Sequence, residues 1–438
     1  MFTYYVRLVL RSWNRKPFVT ALMITSIGVG IGVSMTMLTI FLAMARDPIP
    51  QQSAHLFVPQ VDNWGPGRHG GGGSDRLQPQ ISYTDATNWM NSRVAQRQTA
   101  MYATSLAVAP SDPKLQPFVV EGRAAYTDFF PMFGVPFLYG SAWTKRDDAS
   151  SASVVVITRE LNDKVFGGTN SVGKTLVLND QIYHVVGVMD RWGPVPRIYD
   201  MTANKYGKTE DVFLPFSLAI NSHMDSAGSF NCKSGAGEGW EGRLHSECVW
   251  IQFWVQLQTA GDEARYRSFL VEYASDQQSL GRFHWAPHIQ LLNVRHWLDN
   301  QHAISDEAQI LLLLSLSALV VCLLGAMSLM LWKIMGKAAE FGVRTALGAR
   351  RRDLFAQCAI EVGLIGLAGG LLGVALAAFG MTEIHVLMPD EIRTLAIFNE
   401  GDIGIAVALA AISTVFVGSY PMWHAARLRV PASASEAR

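Results

Sequence analysis

The run AQILLLLSLSALVVCLLGAMSLMLW (Ala308–Trp332), then KIMGKAAEFGVRTALGARRRDLF (Lys333–Phe355), then VGLIGLAGGLLGVALAAFG (Val362–Gly380) decides the fold of this chain. Two apolar stretches flank a segment that carries Lys333, Lys337, Arg344, Arg350, Arg351 and Arg352. A helix needs about 20 apolar residues to cross about 30 Å of hydrocarbon, so each flank reads as a membrane span. Basic connectors resist translocation. The segment is therefore expected on the cytoplasmic face, held at both ends by spans. Tethered this way it cannot move without moving them, and it reads as the mechanical input of the protein.

Working outward, two more uncharged runs appear. The four are Val19–Ala45, Ala308–Trp332, Val362–Thr382 and Ile403–Trp423, of 27, 25, 21 and 21 residues. The first is too long for the apolar part of a cleaved signal, about 7–15 residues, and no small-x-small site ends it, so it is expected to stay as a span. Arg7, Arg11, Arg15 and Lys16 precede span one, and Arg427 and Arg429 follow span four. The connector between spans three and four holds Arg393 among Glu383, Asp390, Glu391, Glu400 and Asp402. By the positive-inside rule both termini are cytoplasmic and the long stretch between spans one and two lies outside. The 36 basic and 36 acidic residues cancel, so no nucleic-acid footprint is present.

The expected fold is a membrane protein of four transmembrane α-helices, with a large α+β periplasmic domain between spans one and two. Its parts are an amphipathic cytoplasmic helix over 1–17, spans over 18–46, 306–332, 356–382 and 402–424, and the outer domain over 47–305. The basic connector covers 333–355, a short outer loop 383–401 and a cytoplasmic tail 425–438. In the first of these, Phe2, Tyr5, Val6, Val9 and Trp13 recur at helical spacing opposite Arg7, Arg11 and Arg15, which suits the membrane surface.

Inside the outer domain, Ser82 caps an expected helix over 83–93. Strands are expected at 103–108, 118–121, 153–157, 175–178, 183–188, 213–215 and 249–258, with a helix at 264–275. Gly168–Thr175 satisfies GxxxxGK[ST], yet LVLNDQIYHVVGV follows it, a strand, a turn and a strand. A phosphate loop needs a helix there, so nucleotide binding is rejected. The Gly-rich run over 65–74 fails the same test. His284 and His288 are separated by Pro287, which spoils a helical metal pair, and no CxxC occurs; no metal site is expected. No catalytic constellation stands out either. Nine tryptophans lie between Trp64 and Trp297, read as core ahead of a cargo surface.

Cys232 and Cys248, 16 positions apart, would close a loop worth about 3 kcal/mol in an oxidising compartment, the alternative being two free, partly buried thiols. Cys322 and Cys358 fall in or beside spans and are expected reduced. Gly28 and Gly32 in span one, and Gly366, Gly370 and Gly373 in span three, allow close helix approach, within the chain or to a second copy.

EFGVRTALGARRRDLFAQ, Glu340–Gln357, resembles the E-I-G-I-R-x-A-L-G-A segment of MacB-type ABC transporter permeases, a family with LolC/LolE and FtsX branches. The amino-terminal RLVLRSWNRKPFVTALMITSIGVGIG is similar to the family too. So are VEGRAAYTDFFPMFGVPFLYGSAWTKRDD, VITRELNDKVFGG, SVGKTLVLNDQIYHVVGVMD and the carboxy-terminal YPMWHAARLRVPASASEAR. Residues 222–248 match nothing and read as an insertion.

The resemblance implies a permease acting as a dimer, with a second copy or a paralogue. It implies no cofactor on this chain, because ATP-Mg is hydrolysed by a cytoplasmic ABC ATPase. Many MacB proteins fuse that ATPase ahead of span one; the residues before Val19 leave no room for it, so a separate chain is expected. Motion would then pass through the spans to the outer domain without cargo crossing the membrane. The implied ATPase-coupling residues are Glu340, Phe341, Arg344, Ala346, Leu347, Gly348, Ala349 and Arg350. Glu340 and Arg344 form an i,i+4 pair in the favourable order, and Gly348 suits a left-handed cap. The plainer reading is a basic helix on anionic lipid. Phe341 replaces the family's usual Ile, and Glu361 sits at the membrane boundary, an interfacial position. Efflux with an adaptor and an outer-membrane channel is the leading function. Lipoprotein extraction, and FtsX-like signalling to a periplasmic hydrolase, are the alternatives. A membrane-anchored enzyme is a third class.

Overall fold

The computed structural model describes residues 9, 13, 16–65, 76–110, 115–202, 204–337, 343, 351–387 and 400–427. Most of the amphipathic segment over 1–17, the glycine run 66–75, the connector residues 338–342 and 344–350, and the tail beyond 427 lie outside them. The chain divides into two compact units, Met1–Ala45 with Ile304–Arg438, and Arg46–Ala303. The first opens with α1 (Pro17–Ala45) and resumes after the second.

The second unit is built on one ten-stranded sheet. After a 3-10 turn at Ser53–His55 come β1 (Leu56–Val61), α2 (Tyr83–Ser92), β2 (Arg97–Ala109), β3 (Phe118–Ala125), α3 (Phe129–Phe133) and β4 (Phe137–Gly140). Then follow α4 (Lys145–Ala149), β5 (Val154–Thr158), α5 (Arg159–Phe166), β6 (Thr175–Leu178), β7 (Gln181–Met189) and β8 (Val212–Pro215). The unit ends with α6 (Phe216–Asn221), α7 (Gly239–Leu244), β9 (Gln252–Gln256), α8 (Ala260–Ser279), β10 (Ile289–Asn293) and α9 (Val294–Asn300).

The strand order is β10-β1-β9-β2-β3-β8-β5-β7-β4, and β6 bridges β2 and β7. That bridge closes a hydrogen-bonded circuit, β2-β3-β8-β5-β7-β6, which leaves those six strands without an open edge. Leu106, Val120, Val155, Leu176, Val185 and Leu214 from all six join one buried cluster. The alternate residues Met101, Ala125, Val156, Met189 and Phe213 turn to a second cluster under α3 and α9. The pleat sends neighbours to opposite faces, so one sheet separates two cores.

The first unit resumes with α10 (Asp306–Met335), α11 (Arg351–Leu387) and α12 (Glu400–Arg427). Ser305 caps α10, its side chain accepting from the Ala308 N–H. α1, α10 and the Phe355–Glu383 part of α11 are long and apolar enough to span a membrane; α12 holds the shorter apolar stretch Val407–Trp423, with Pro421 inside it. α11 starts by Arg351, so the last turn of the expected connector is continuous with the span.

Glycines set the helix spacing. A Cβ on Gly32 would lie 2.8 Å from Leu376 Cβ and 3.2 Å from the Gly373 carbonyl oxygen; one on Gly28 would meet Leu372 at 2.8 Å; one on Gly373 would lie 2.7 Å from Ile31 Cγ2. α1 and α11 therefore pack backbone to backbone along these positions. The other side of α11 packs on α12, Gly370 against Ala410 and Gly366 against Thr414. Ser34 Oγ donates to the Ser315 carbonyl at 2.9 Å and Ser26 Oγ to that of Cys322 at 3.1 Å, tying α1 to α10 where water is absent.

Candidate functional site

α10 ends and α11 begins at the two mouths of the basic connector. There Lys333 on α10 places Nζ 2.8 Å from Glu361 Oε1 of α11, and Lys337 reaches Oε2 at 2.8 Å. Lys333 Nζ also donates to Thr20 Oγ1 on α1 at 3.0 Å. The side chains of Lys333 and Glu361 are 1% and 3% exposed. Three helices are thus tied by one carboxylate between two ammonium groups. Glu361, expected at the membrane boundary, is a buried counter-ion. The sequence alone could have suggested it, as an acidic side chain directly abutting the apolar run that follows the basic segment. Lys16 Nζ stands 4.0 Å over the Trp332 ring on the same turn, an arrangement that Gly336, 3.2 Å from Lys16 Nζ for a would-be Cβ, leaves room for. Between Lys337 and Arg351 only Val343 is described, and it is exposed. Glu340, Phe341, Arg344, Ala346, Leu347, Gly348, Ala349 and Arg350 lie outside the described residues.

A second polar knot sits in the outer unit. Arg123, on β3 and fully buried, donates from Nη2 to Asp200 Oδ2 at 2.7 Å and to Glu210 Oε1 at 2.5 Å. Arg197 Nη1 stands 3.2 Å from the same Glu210 oxygen, and Tyr199 Oη donates to Glu210 Oε2 at 3.0 Å. Burial alone would raise both carboxyls; the Arg123 guanidinium, then Arg197, holds Asp200 and Glu210 below their ordinary values. A third knot joins Arg282 to Asp85 at 2.6 Å and to Glu247 at 2.6 Å. Burial pushes Asp85 up, and Arg282 more than reverses it.

The phosphate-loop look-alike is a hairpin. Asn179 and Asp180, at φ 48° and 63°, make a turn between β6 and β7 with two left-handed residues. Lys174 Nζ donates to Thr169 Oγ1 at 3.2 Å rather than facing a cradle of N–H groups. Cys232 and Cys248 form a disulfide that closes the insertion. Trp89, Trp250, Trp254 and Trp297 are fully buried, so much of the tryptophan set is core. Among the described residues no His, Cys, Asp and Glu group is arranged to hold a metal. An open groove of about 680 Å³ runs past Arg93, Gln98, Tyr126, Asp148 and Ser217.

Comparison with known proteins gives two family-model matches. The family model of the MacB-like periplasmic core domain matches residues 20–267, and that of the FtsX-like permease C-terminal segment matches residues 312–430. The macrolide export ATP-binding/permease protein MacB of Agrobacterium fabrum is 26% identical over 309 residues, covering 69% of this chain and 41% of that protein. The pyoverdine export ATP-binding/permease protein PvdT of Pseudomonas putida is 27% identical over 304 residues, covering 69% of this chain and 39% of that protein. The chain thus spans about two fifths of the length of these curated relatives. Among solved structures, the periplasmic region of MacB from Actinobacillus actinomycetemcomitans aligns at 15% identity and TM-score 0.36, covering 56% of this chain and 92% of that one.

Proposed function

The chain belongs to the MacB-type family of ABC transporter permeases, multi-pass proteins of the bacterial inner membrane with a periplasmic domain, and on that premise we propose that it transmits force rather than conducting cargo. A cytoplasmic ABC ATPase, binding ATP-Mg, closes against the connector at Glu340, Phe341, Arg344, Ala346, Leu347, Gly348, Ala349 and Arg350. Both termini are then cytoplasmic. Two permease copies, or this chain and a paralogue, face each other, and the periplasmic domain drives export of a substrate with an adaptor and an outer-membrane channel. The chain itself is non-catalytic.

One observation carries this reading: the Lys333–Glu361–Lys337 knot. It fastens α10 to α11 at the mouth of the connector and reaches α1 through Thr20. A push on the connector therefore moves three helices as a body rather than bending one. The ions are held by short charge-assisted bonds in a setting with little water to screen them.

The test is purification of the full chain with its neighbours from the native membrane. A co-purifying ATPase whose rate responds to Glu340→Lys supports the proposal. Absence of any ATPase sinks it. Intact cargo coupling in a Glu340→Lys, Arg344→Glu double variant removes the connector assignment. The lipoprotein-extraction and FtsX-like signalling readings are separated by what is recovered: an adaptor favours export, a bound lipoprotein favours extraction and a cell-wall hydrolase favours signalling.

A further inference from the structure

The segment that leaves the periplasmic domain is hydrogen-bonded to the loop between β7 and β8. Residues 301–303 stand just before α10, which begins at Asp306. Lys205 Nζ donates to the Gln301 carbonyl at 2.6 Å and to that of His302 at 3.2 Å. The next side chain in the loop, Tyr206, donates its hydroxyl to the Ala303 carbonyl. One turn earlier, Trp297 Nε1 donates to the Ile198 carbonyl at 2.9 Å. Three consecutive carbonyls and one indole of the exit segment are thus bonded to residues 198–206.

The same loop is fixed to the strand circuit at its other side. Its residues Arg197, Asp200 and Glu210 form the buried knot with Arg123 of β3. Arg123 pairs in register with Phe213 of β8 and Ala103 of β2, so it sits within the wall of the circuit. Within the loop, the Arg197 N–H donates to the Lys205 carbonyl at 2.7 Å and Arg197 Nη1 to that of Lys208 at 3.0 Å. Every link in this path is a hydrogen bond or ion pair with a direction. Apolar packing alone, as between Trp254 and Trp297 at 6.2 Å, lets surfaces slide; directed bonds to a buried guanidinium do not.

We propose that residues 197–202 and 204–210 act as the strap through which motion of α10 reaches the β2–β3–β8 wall, with Lys205 and Tyr206 as positioning residues that grip the exit segment and Arg123 as the anchor. This rests on the force-transmission reading above. It adds where in the outer domain the force is delivered: to the strand circuit through one loop, not through the second core as a whole. The chemistry suits the task. An ammonium spanning two carbonyls resists being drawn along the chain, because a shift of one residue breaks both bonds and leaves a half-buried charge with fewer partners.

The experiment uses the full chain with its co-purified ATPase in nanodiscs. Hydrogen–deuterium exchange is compared with and without ATP-Mg for wild type, Tyr206→Phe and Lys205→Met/Tyr206→Phe. In wild type, nucleotide changes exchange both at the exit segment and in the peptides of β3 and β8. In the variants the change at the exit segment persists, while that in β3 and β8 falls by about fivefold or more, the lower end of an ordinary coupling free energy. A merely structural role would shift exchange equally with and without nucleotide. An ATP-dependent response of wild-type size in β3 and β8 of both variants overturns the strap. A wild type with no ATP-dependent change anywhere in 46–303 overturns force transmission, and the strap with it. Should the double variant fail to fold, Tyr206→Phe, which lacks one hydroxyl only, carries the test.

Discussion

Replacing Glu361 by glutamine removes the charge that two lysines share while keeping the shape of the side chain. At an effective dielectric constant of about 20, each of the two 2.8 Å contacts is worth roughly 4–6 kcal/mol of attraction. Desolvating the three ions costs several kcal/mol each, so the assembled knot stands near balance. Its partial loss does not. The neutral amide leaves Lys333, 1% exposed, beside Lys337 with no carboxylate between them, and the expected destabilisation is about 3–5 kcal/mol. The contrasting variant is Lys333→Met with Glu361→Leu. It takes out a buried pair together and is expected to be neutral or more stable by about 1–4 kcal/mol, since Lys337, 19% exposed, can turn toward water. The assay is reversible unfolding of the full chain by SDS titration in mixed micelles, followed by far-ultraviolet circular dichroism, alongside ATP-coupled substrate movement. The double variant should keep its spans and lose coupling, because apolar packing replaces the tie between α10 and α11 with a surface that slides. Glu361→Gln within about 0.5 kcal/mol of wild type, the range of surface substitutions, would refute the buried knot. A double variant with full coupling would show that the ions serve stability alone.

Three further expectations concern the disulfide, the glycine contacts and the buried carboxyls. Cys232→Ser or Cys248→Ser opens a disulfide-closed loop of 16 residues and should cost about 3 kcal/mol, read as a lower thermal midpoint that reductant no longer changes. Gly373→Ala would push a methyl to 2.7 Å from Ile31 Cγ2 and should cost about 1–3 kcal/mol by overpacking, whereas Gly363→Ala, with nothing within 4 Å, should be neutral or stabilising; equal midpoints for the two would reject the close α1–α11 contact. Asp148, buried, is pushed up to about 6 from 3.8 by burial, against the opposing N–H groups of Thr127 and Trp143. Between those values the folded domain holds a proton that the unfolded chain has released, so stability falls as pH rises through this window, by up to about 3 kcal/mol. Asp211 is raised in the same direction, while Asp85, Asp200 and Glu210 are lowered and lose their contribution at lower pH. Tryptophan fluorescence reports the outer domain, which holds nine of the 12 tryptophans. Its melting midpoint should drop from about pH 4.5 to about pH 6.5, and the drop should shrink in Asp148→Asn; a midpoint that rises over this range would refute the sign.

The sequence was most informative where a residue's own chemistry restricts its neighbours. Hydropathy over Val19–Ala45 and Ala308–Trp332 marks helices because lipid leaves the backbone no other partner. Asn179-Asp180 marks the hairpin because both residues tolerate a left-handed backbone. Ser82 marks the start of α2 because its hydroxyl accepts from the Asp85 N–H. Less was legible for β1, which reads LFVPQV with a proline inside and is buried on both faces, so no alternation advertises it. β10, reading IQLLN and partly buried, shows no clean alternation either, and it pairs with β1 across more than two hundred residues. The closing of the strand circuit depends on two register pairs between β2 and β6, which no local pattern encodes. The knots were hidden for a similar reason. Arg123 and Asp200, or Lys333 and Glu361, are ordinary polar residues until the fold brings them together.

α10 connects these observations. At 30 residues it rises roughly 45 Å. Near its last turn Lys333 fixes it to α1 and α11; three residues before its first turn the chain is gripped by Lys205 and Tyr206. Much of its own surface is apolar and exposed, as at Leu311, Leu313, Leu314 and Val321, which lipid accepts without holding. Its other face is tied to α1 by the Ser34–Ser315 and Ser26–Cys322 bonds, so on the force-transmission reading α10 moves together with α1. On the proposed reading, the Lys333–Glu361–Lys337 knot is where force enters, and glycine contacts between α1 and α11 keep the neighbouring spans together. On that reading, the knot at Lys333 and the exit segment at 301–303 are the positions where substitution should uncouple the protein.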